Sequence, residues 1–287
     1  MGSGLHRRRL VRVPASSANL GPGFDVLCAA LALHTEVEVV ETGSFAVETD
    51  LEIARDRRNL VVRGFEALHP PDDFTFRISS EIPLSGGLGT SAAAYMAGLM
   101  AADHMFELGA DVFTLCAELE GHPDNAAAAR YGGVTICADG EVTRFDPPAG
   151  LEAVLVVPHA SVRTHQARGV LPAQVPMAEA TDNVAHAALL VLGLATGDWD
   201  LVARGLKDKL HQDRRAHLFP KSAALLERAP AMGALGATIS GAGPSVLVWC
   251  HYEQTGRVFE ALRREAEGWA QVLRAPFAPE GADVRAL

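Results

Sequence analysis

Cysteine is scarce in this sequence: four residues in 287, at Cys28, Cys116, Cys137 and Cys250. They stand far apart and none forms a C-x-x-C pair, which excludes the usual structural zinc and dithiol redox motifs. Each lies among apolar neighbours and reads as a buried thiol, in keeping with a reducing cytoplasm. Excess positive charge is also missing. The formal net charge is −10, which argues against a general nucleic-acid binder and leaves room only for a local basic pocket holding a small anion. Long apolar runs are lacking, because charges or glycine interrupt them, and no membrane span is expected. No apolar stretch follows Arg7-Arg8-Arg9, so no secretory leader is expected either. There is no internal repeat. Glycine and proline are spread along the chain, which excludes a fibrous or linker protein. What is present is a 48% hydrophobic composition, enough for a proper core in two modest domains or one large one.

Taken in order, Leu10 to Val13 reads as a strand leading into Pro14-Ala15-Ser16-Ser17-Ala18-Asn19-Leu20-Gly21-Pro22-Gly23-Phe24-Asp25. Asn19 and Asp25 flank a Gly-Pro-Gly turn that would fix two polar side chains, each of which also suits a plain Asx-turn. Thr35 to Val40 alternates as a half-exposed strand, and Phe45 to Thr49 is expected to pair with it through Thr42-Gly43-Ser44. Asn59 starts a helical pattern that ends before Pro70-Pro71. Phe74 to Ile82 alternates as a strand, and an alanine-rich helix covers Ala92 to Phe106. Asp111 to Leu119 is a further helix. Then comes Glu120-Gly121-His122-Pro123-Asp124-Asn125, either a functional cluster or a simple cap on the helix Ala126 to Tyr131. Val134 to Ala138, Asp139-Gly140 and Glu141 to Phe145 form a hairpin. Pro147-Pro148 marks the expected boundary between domains 1–148 and 149–287.

The second half opens on the apolar strand Leu151 to Val157. Thr164-His165-Gln166-Ala167-Arg168 follows, then the helices Met177 to Thr196 and Asp200 to Leu210. Arg214 and Arg215 precede Phe219-Pro220. Lone arginines are usually solvated, so Arg168 and Arg215 gain meaning only by converging on an acid, where the planar fork binds bidentately. Gly236 to Ser245 is a third glycine-rich stretch between apolar strands: a hairpin of small residues, or a flap over another loop. Gln254 to Glu267 is an amphipathic surface helix, and Gln271 to Ala275 reads as the last strand.

The stretch that organises the chain is Pro83-Leu84-Ser85-Gly86-Gly87-Leu88-Gly89-Thr90-Ser91. Its glycines permit positive φ and close approach to a ligand. Thr90 or Ser91 would cap the helix that follows, and a helix N-terminus attracts phosphate. The stretch reads as a polyphosphate seat or as a tight connection. It carries no lysine, so it is not the common nucleotide P-loop, and it lacks the Rossmann glycine spacing.

Together, Pro14–Asp25, Pro83–Ser91 and Gly236–Ser245 resemble, in this order, the three motifs of the GHMP small-molecule kinases. That superfamily includes the galactokinase, homoserine kinase, mevalonate kinase and phosphomevalonate kinase families. Pro83–Ser91 matches its Pro-x-x-x-Gly-Leu-Gly-Ser-Ser, with Thr90 in place of the first serine. Ser-Ala-Asn-Leu-Gly-Pro-Gly-Phe-Asp, Glu-Gly-His-Pro-Asp-Asn and Thr-x-x-Ala-Arg-x-x-Leu-Pro look like the homoserine kinase family. The resemblance runs from about Arg12 to Arg274.

It implies an α+β, two-domain GHMP kinase fold: an N-terminal domain like the second domain of ribosomal protein S5 and a ferredoxin-like C-terminal domain. It also implies ATP and Mg²⁺ as cofactors and L-homoserine as substrate, in cytoplasmic threonine biosynthesis, with no nucleic-acid or membrane partner. A homodimer is one assembly consistent with it. In the roles it implies, Ser91 and Glu120 contact Mg²⁺, with Glu118 a competitor for the latter place. Pro83, Ser85, Gly86, Gly87, Leu88, Gly89, Thr90, Gly241 and Gly243 hold the nucleotide, and Asn59 borders the adenine. Asp25 and Asp124 receive the substrate ammonium. His122, Arg168 and Arg215 hold its carboxylate, with Arg214 a competitor for the last. Asn19 and Asn125 lie near the reacting hydroxyl and Thr164 beside the substrate, and these three with Asp25 are the candidate catalytic residues. A mevalonate-like or sugar substrate, or a silent nucleotide-binding protein on this fold, are the rival readings.

Overall fold

The computed structural model describes residues 7–84, 86–162 and 164–287. The chain opens with β1 (Arg8–Ala18) and β2 (Leu27–Glu41), which pair antiparallel with Val11 opposite Val37. Side chains alternate across a strand. Val11, Val13, Val37 and Val39 are therefore buried, while Arg12 and Glu36 face water. The register slips between Pro14 and Ala15, where proline offers no N–H to the ladder. Beyond that point β1 is buried on both faces.

Next come β3 (Ala46–Glu48), α1 (Leu60–Glu66), β4 (Phe74–Ser80), α2 (Thr90–Phe106), α3 (Val112–Glu120), α4 (Asp124–Tyr131), β5 (Val134–Ala138) and β6 (Glu141–Phe145). Asn59 starts α1 as its sequence suggests, with Oδ1 accepting from the Val61 N–H. The alanines of α2 let it lie buried along most of its length, packed between α1 and the sheet. Fully buried Phe65 stands edge-on to Phe76 and tilted to Phe74. Each such side chain contributes about 1.5–3 kcal/mol by burial.

Phe45–Thr49 does not pair with β2 as expected. Instead, β3 lies parallel to β4, with Val47 opposite Phe76. The reason is local. The N–H groups of Thr42 and Gly43 both donate to the Asp73 carbonyl, so the chain is carried past β4 rather than back along β2, whose edge β4 already occupies.

The second half contributes β7 (Leu151–Pro158), α5 (Thr164–Gly169), α6 (Met177–Thr196), α7 (Trp199–Gly205), α8 (Gln212–Arg215), α9 (Pro220–Arg228), β8 (Gly236–Ile239), β9 (Val246–His251), α10 (Tyr252–Glu265), β10 (Ala270–Arg274) and β11 (Asp283–Ala286). The expected helix over Asp200–Leu210 stops at Gly205. After it, the buried Asp208 carboxylate takes the N–H groups of Leu210, His211 and Gln212 and so starts α8.

The four-stranded antiparallel sheet has the order β10-β7-β9-β8. In chain order that places the first strand between the last and the third, the ferredoxin-like arrangement. The larger sheet runs β11-β1-β2-β4-β3, with β5 on β2 and β6 on β5. Gln271–Ala275 is thus not the last strand, because β11 follows it and pairs with β1. The division we propose at Pro148 separates the strands of the two sheets except for this return. All four cysteines are buried and free. Burial pushes the Cys137 thiol up to about 11 and Cys250 to about 12.

Candidate active site

The three glycine-rich stretches meet. In the first, Asn19, Leu20, Gly21 and Asp25 all have positive φ. Asn19 closes that turn: its Oδ1 accepts from the Asp25 N–H at 3.0 Å, and its Nδ2 donates to the Gly241 carbonyl of the third stretch at 2.8 Å. The third stretch rests on the second. Ser240 Oγ donates to the Gly87 carbonyl at 2.6 Å, and the Ser245 N–H donates to the Gly86 carbonyl. The first reaches the second through the Ser16 N–H, which donates to the Leu88 carbonyl.

Two glycines are required by this closeness. A Cβ on Gly87 (φ 76°) would stand 2.3 Å from the Ser240 carbonyl oxygen, and one on Gly89 (φ 65°) would stand 1.9 Å from Ser16 Oγ. Gly89, rather than Thr90 or Ser91, is the N-cap of α2, and no side chain caps the helix. The reason is that both hydroxyls are turned elsewhere. Thr90 Oγ1 reaches the Pro83 carbonyl and Ser91 Oγ donates to Glu120 Oε2 at 2.9 Å. The first turn of α2 is left to present its N–H groups to an anion.

This loop lines one side of a cleft of about 470 Å³. Gly86, Gly87, Leu88, Gly89, Thr90 and Ser91 all reach it, as do Glu120, His122, Asp124, Asn125, Thr164, Arg168, Arg215, Asn19, Asn59 and Gly241. Pro83 and Gly243 do not. Pro83 supports the Thr90 hydroxyl, and the Gly243 N–H closes its own turn on Ser240. Ser85 lies outside the described residues. Asn59 forms wall only, because Oδ1 caps α1 and Nδ2 donates to the Ala54 carbonyl. It stands among the apolar side chains of Leu51, Ile53 and Ile78. Asn19 likewise reaches the cleft with its amide already engaged on both atoms.

Of the two glutamates, Glu120 lines the cleft. Glu118 is exposed and absent from the lining. Burial raises the Glu120 carboxyl above its ordinary value, and the Ser91 hydrogen bond opposes this. Asp124 is 2% exposed and accepts from His122 Nδ1 at 3.0 Å and from the Asn125 N–H at 2.7 Å. That bond, more than the charge of Glu120, raises the His122 imidazole. Asn125 Oδ1 accepts from Ser16 Oγ at 2.8 Å.

The arginines converge on acid and aromatic partners. Arg168 makes a bidentate pair with Asp25 at 2.7 and 3.0 Å. Asp25 is absent from the cleft wall itself, its carboxylate being engaged by Arg168, which does line the cleft. Arg215 is 1% exposed, and burial, with the nearby Arg168 charge, lowers it to about 10. Both guanidinium carbons lie over the Phe24 ring, at 5.7 and 5.5 Å. Arg214 points away, to Glu179 on α6. The neighbouring arginines are therefore told apart by direction.

Sequence reasoning did not single out Ser16, Phe24, Asn183 or His211. Asn183 donates to the Pro22 carbonyl and accepts from the Lys209 N–H, tying α6 to the first stretch. His211 lies four residues before Arg215, the spacing that puts two side chains on one helix face. That was the available signal.

Two family models match the chain: the GHMP kinases N terminal domain over residues 59–133 and the GHMP kinases C terminal domain over residues 187–268. A homoserine kinase of Moorella thermoacetica is 40% identical over 261 residues, covering 85% of this chain and 88% of its own. One from Gloeobacter violaceus is 40% identical over 273 residues, covering 88% and 91%. The crystal structure of a homoserine kinase from Cytophaga hutchinsonii superposes with a TM-score of 0.87 at 27% identity, covering 99% of each chain.

Proposed function

Since the chain belongs to the GHMP kinases, and within them to the homoserine kinase family, we propose that it transfers the γ-phosphoryl group of ATP to the hydroxyl of L-homoserine. The hydroxyl oxygen bonds to the γ-phosphorus as the bridging bond to the β-phosphate breaks. O-phospho-L-homoserine and ADP leave, and one proton is released. No covalent enzyme intermediate is needed, because phosphoryl transfer depends on positioning and charge neutralisation.

What supports this reading is one observation: a single cleft holds both a phosphate seat and a matched set of acids and guanidinium groups. A polyphosphate tail suits the open first turn of α2 and the backbone of Gly86–Gly89. At the other end, an amino acid zwitterion needs an acid for its ammonium and bases for its carboxylate. Asp124 is fixed for the first, by His122 and its own helix. Arg168 and Arg215 serve the second, with His122 beside them. Asp25 joins the ammonium side when the substrate carboxylate takes Arg168 from it. Asn125 and Thr164 stand where the acceptor hydroxyl meets the phosphate, and Asn19 holds the turn beneath them.

Ser91 and Glu120 fit Mg²⁺. The Glu120 carboxylate is half-buried and takes one hydrogen bond among the described residues, from Ser91 Oγ. A hydroxyl and a carboxylate are suitable oxygen ligands for a cation that keeps several waters. When bound, the ion would offset the charge of the transferring phosphates. The described residues include no helix long and apolar enough to cross a membrane, and we place the reaction in the cytoplasm, with a homodimer as the assembly to be tested.

The decisive experiment is a coupled ADP-release assay with homoserine, threonine, serine and mevalonate side by side. Homoserine should give the highest kcat/KM. Preference for mevalonate, or ATP binding with no acceptor-dependent ADP release, would overturn the assignment.

A further inference from the structure

His211 does not itself line the cleft, and it is fully buried between two of the segments that build it. Its Nε2 lies 2.9 Å from the Gly21 carbonyl oxygen, and its Nδ1 lies 3.0 Å from Arg215 Nη1. A carbonyl only accepts and a guanidinium only donates. One form of the imidazole satisfies both: neutral, with the proton on Nε2 and a bare Nδ1 facing the arginine. A doubly protonated ring would turn a proton toward the guanidinium.

Arg215 is then held at several points. Its Nε donates to the Ala167 carbonyl at 2.9 Å, and its Nη1 donates to His211 and to the Gly241 carbonyl at 3.2 Å. Its Nη2 donates no hydrogen bond among the described residues, and the side chain lines the cleft. The carbonyls that hold the His211–Arg215 pair, those of Gly21, Ala167 and Gly241, belong to the first glycine-rich stretch, to α5 and to the third stretch. The third stretch also carries Ser240, which bonds to Gly87 of the phosphate loop. The His211 ring further packs against Phe24, at 5.5 Å between centroids, and Phe24 lies under both guanidinium groups.

We propose that His211 is a positioning residue for substrate selection: it fixes the Arg215 fork so that one edge alone meets the substrate carboxylate, in register with the phosphate loop. An arginine free to rotate would meet a carboxylate in many geometries and lose the order of a bidentate or end-on contact. The role of His211 is thus to make the enzyme read a carboxylate at a set distance from the reacting hydroxyl, without touching the substrate. This rests on the homoserine reading given above.

The test uses the full chain and three substitutions, His211→Asn, His211→Gln and His211→Leu. Two acceptors are compared: homoserine and 3-amino-1-propanol, which keeps the amine and the hydroxyl and lacks the carboxylate. Where turnover of the second is below detection, its inhibition constant against homoserine replaces it. His211→Leu should raise the homoserine KM about tenfold or more, leave the ATP KM within about twofold, and shrink the preference for homoserine over the amino alcohol by about tenfold. An asparagine oxygen falls near the Nδ1 position, so His211→Asn should stay within about threefold of the wild type in homoserine KM. A glutamine amide reaches toward the Gly21 carbonyl instead, so His211→Gln should behave like the leucine variant.

Equal loss on both acceptors would show a general structural role and overturn the proposal. So would equal homoserine KM values for the asparagine and glutamine variants, a comparison that holds even where the leucine variant fails to fold. A wild type that releases no ADP with homoserine would overturn the substrate reading itself. A wild type active on homoserine with an unchanged preference in the variants would overturn the assignment of His211 alone.

Discussion

Replacing Gly87 by alanine tests the backbone contact between the second and third glycine-rich stretches. The new Cβ would sit 2.3 Å from the Ser240 carbonyl oxygen, a backbone atom that cannot swing aside. The residue would also keep φ near 76°, which costs an L-residue about 1–2 kcal/mol. To relieve the overlap the third stretch must separate from the loop. That breaks the bond from Ser240 Oγ to the Gly87 carbonyl and the bond from the Ser245 N–H to the Gly86 carbonyl, at about 1 kcal/mol each. The sum is about 3–4 kcal/mol. For a chain of this size that corresponds to a fall in Tm of about 6–8 °C. The same displacement moves the phosphate seat, so the ATP KM should rise about tenfold or more while the homoserine KM changes less. Thermal melting and initial-rate kinetics on one preparation would check both. A Tm within about 2 °C of the wild type, with an unchanged ATP KM, would refute the reasoning, because it would mean that the loop and the flap do not bear on one another.

Glu120→Gln should lower turnover sharply at limiting Mg²⁺ and be partly rescued by excess metal; full turnover at limiting Mg²⁺ would remove Glu120 from the metal site. Arg168→Ala should mainly raise the homoserine KM, by about tenfold or more, since it frees Asp25 and deletes one carboxylate contact; an unchanged KM removes it from the site. Stability should fall as pH drops through the ordinary imidazole range, because burial depresses the pKa of His211. The unfolded chain takes up a proton there and the folded chain does not, giving a slope of up to about 1.4 kcal/mol per pH unit that ends below the depressed folded value. Urea midpoints across that range should show this slope in the wild type and a flatter one in His211→Asn.

The parts of the site that are continuous in sequence were legible before any coordinates. Gly86–Ser91 and the Glu120–Asn125 cluster each carry their geometry in a few neighbouring residues, and Asn59 announces its helix by local chemistry. What could not be read depends on partners far along the chain. Asp25 and Arg168 are separate candidates in sequence, and only the fold makes them each other's counter-charge. His211 looks like any histidine before a helix until the Gly21 carbonyl is found beside it. The hydroxyls of Thr90 and Ser91 suit a helix cap, but Pro83 and Glu120 compete for them and Gly89 takes that place. In the sheets, alternation fixes which face of a strand is buried and says nothing of its neighbour. Hence the sequence pattern pairs Phe45–Thr49 with β2 rather than β4 and leaves out the strand beyond Arg274.

That returning strand bears on how the protein is made. On a ribosome the outer edge of β1 emerges early, while Asp283–Ala286, which pair with Arg9–Arg12, emerge only after β10. Until then a row of open backbone groups invites association with other nascent chains. A fragment ending at Phe145 would keep that raw edge for good, so the first sheet is finished only when the second has been synthesised.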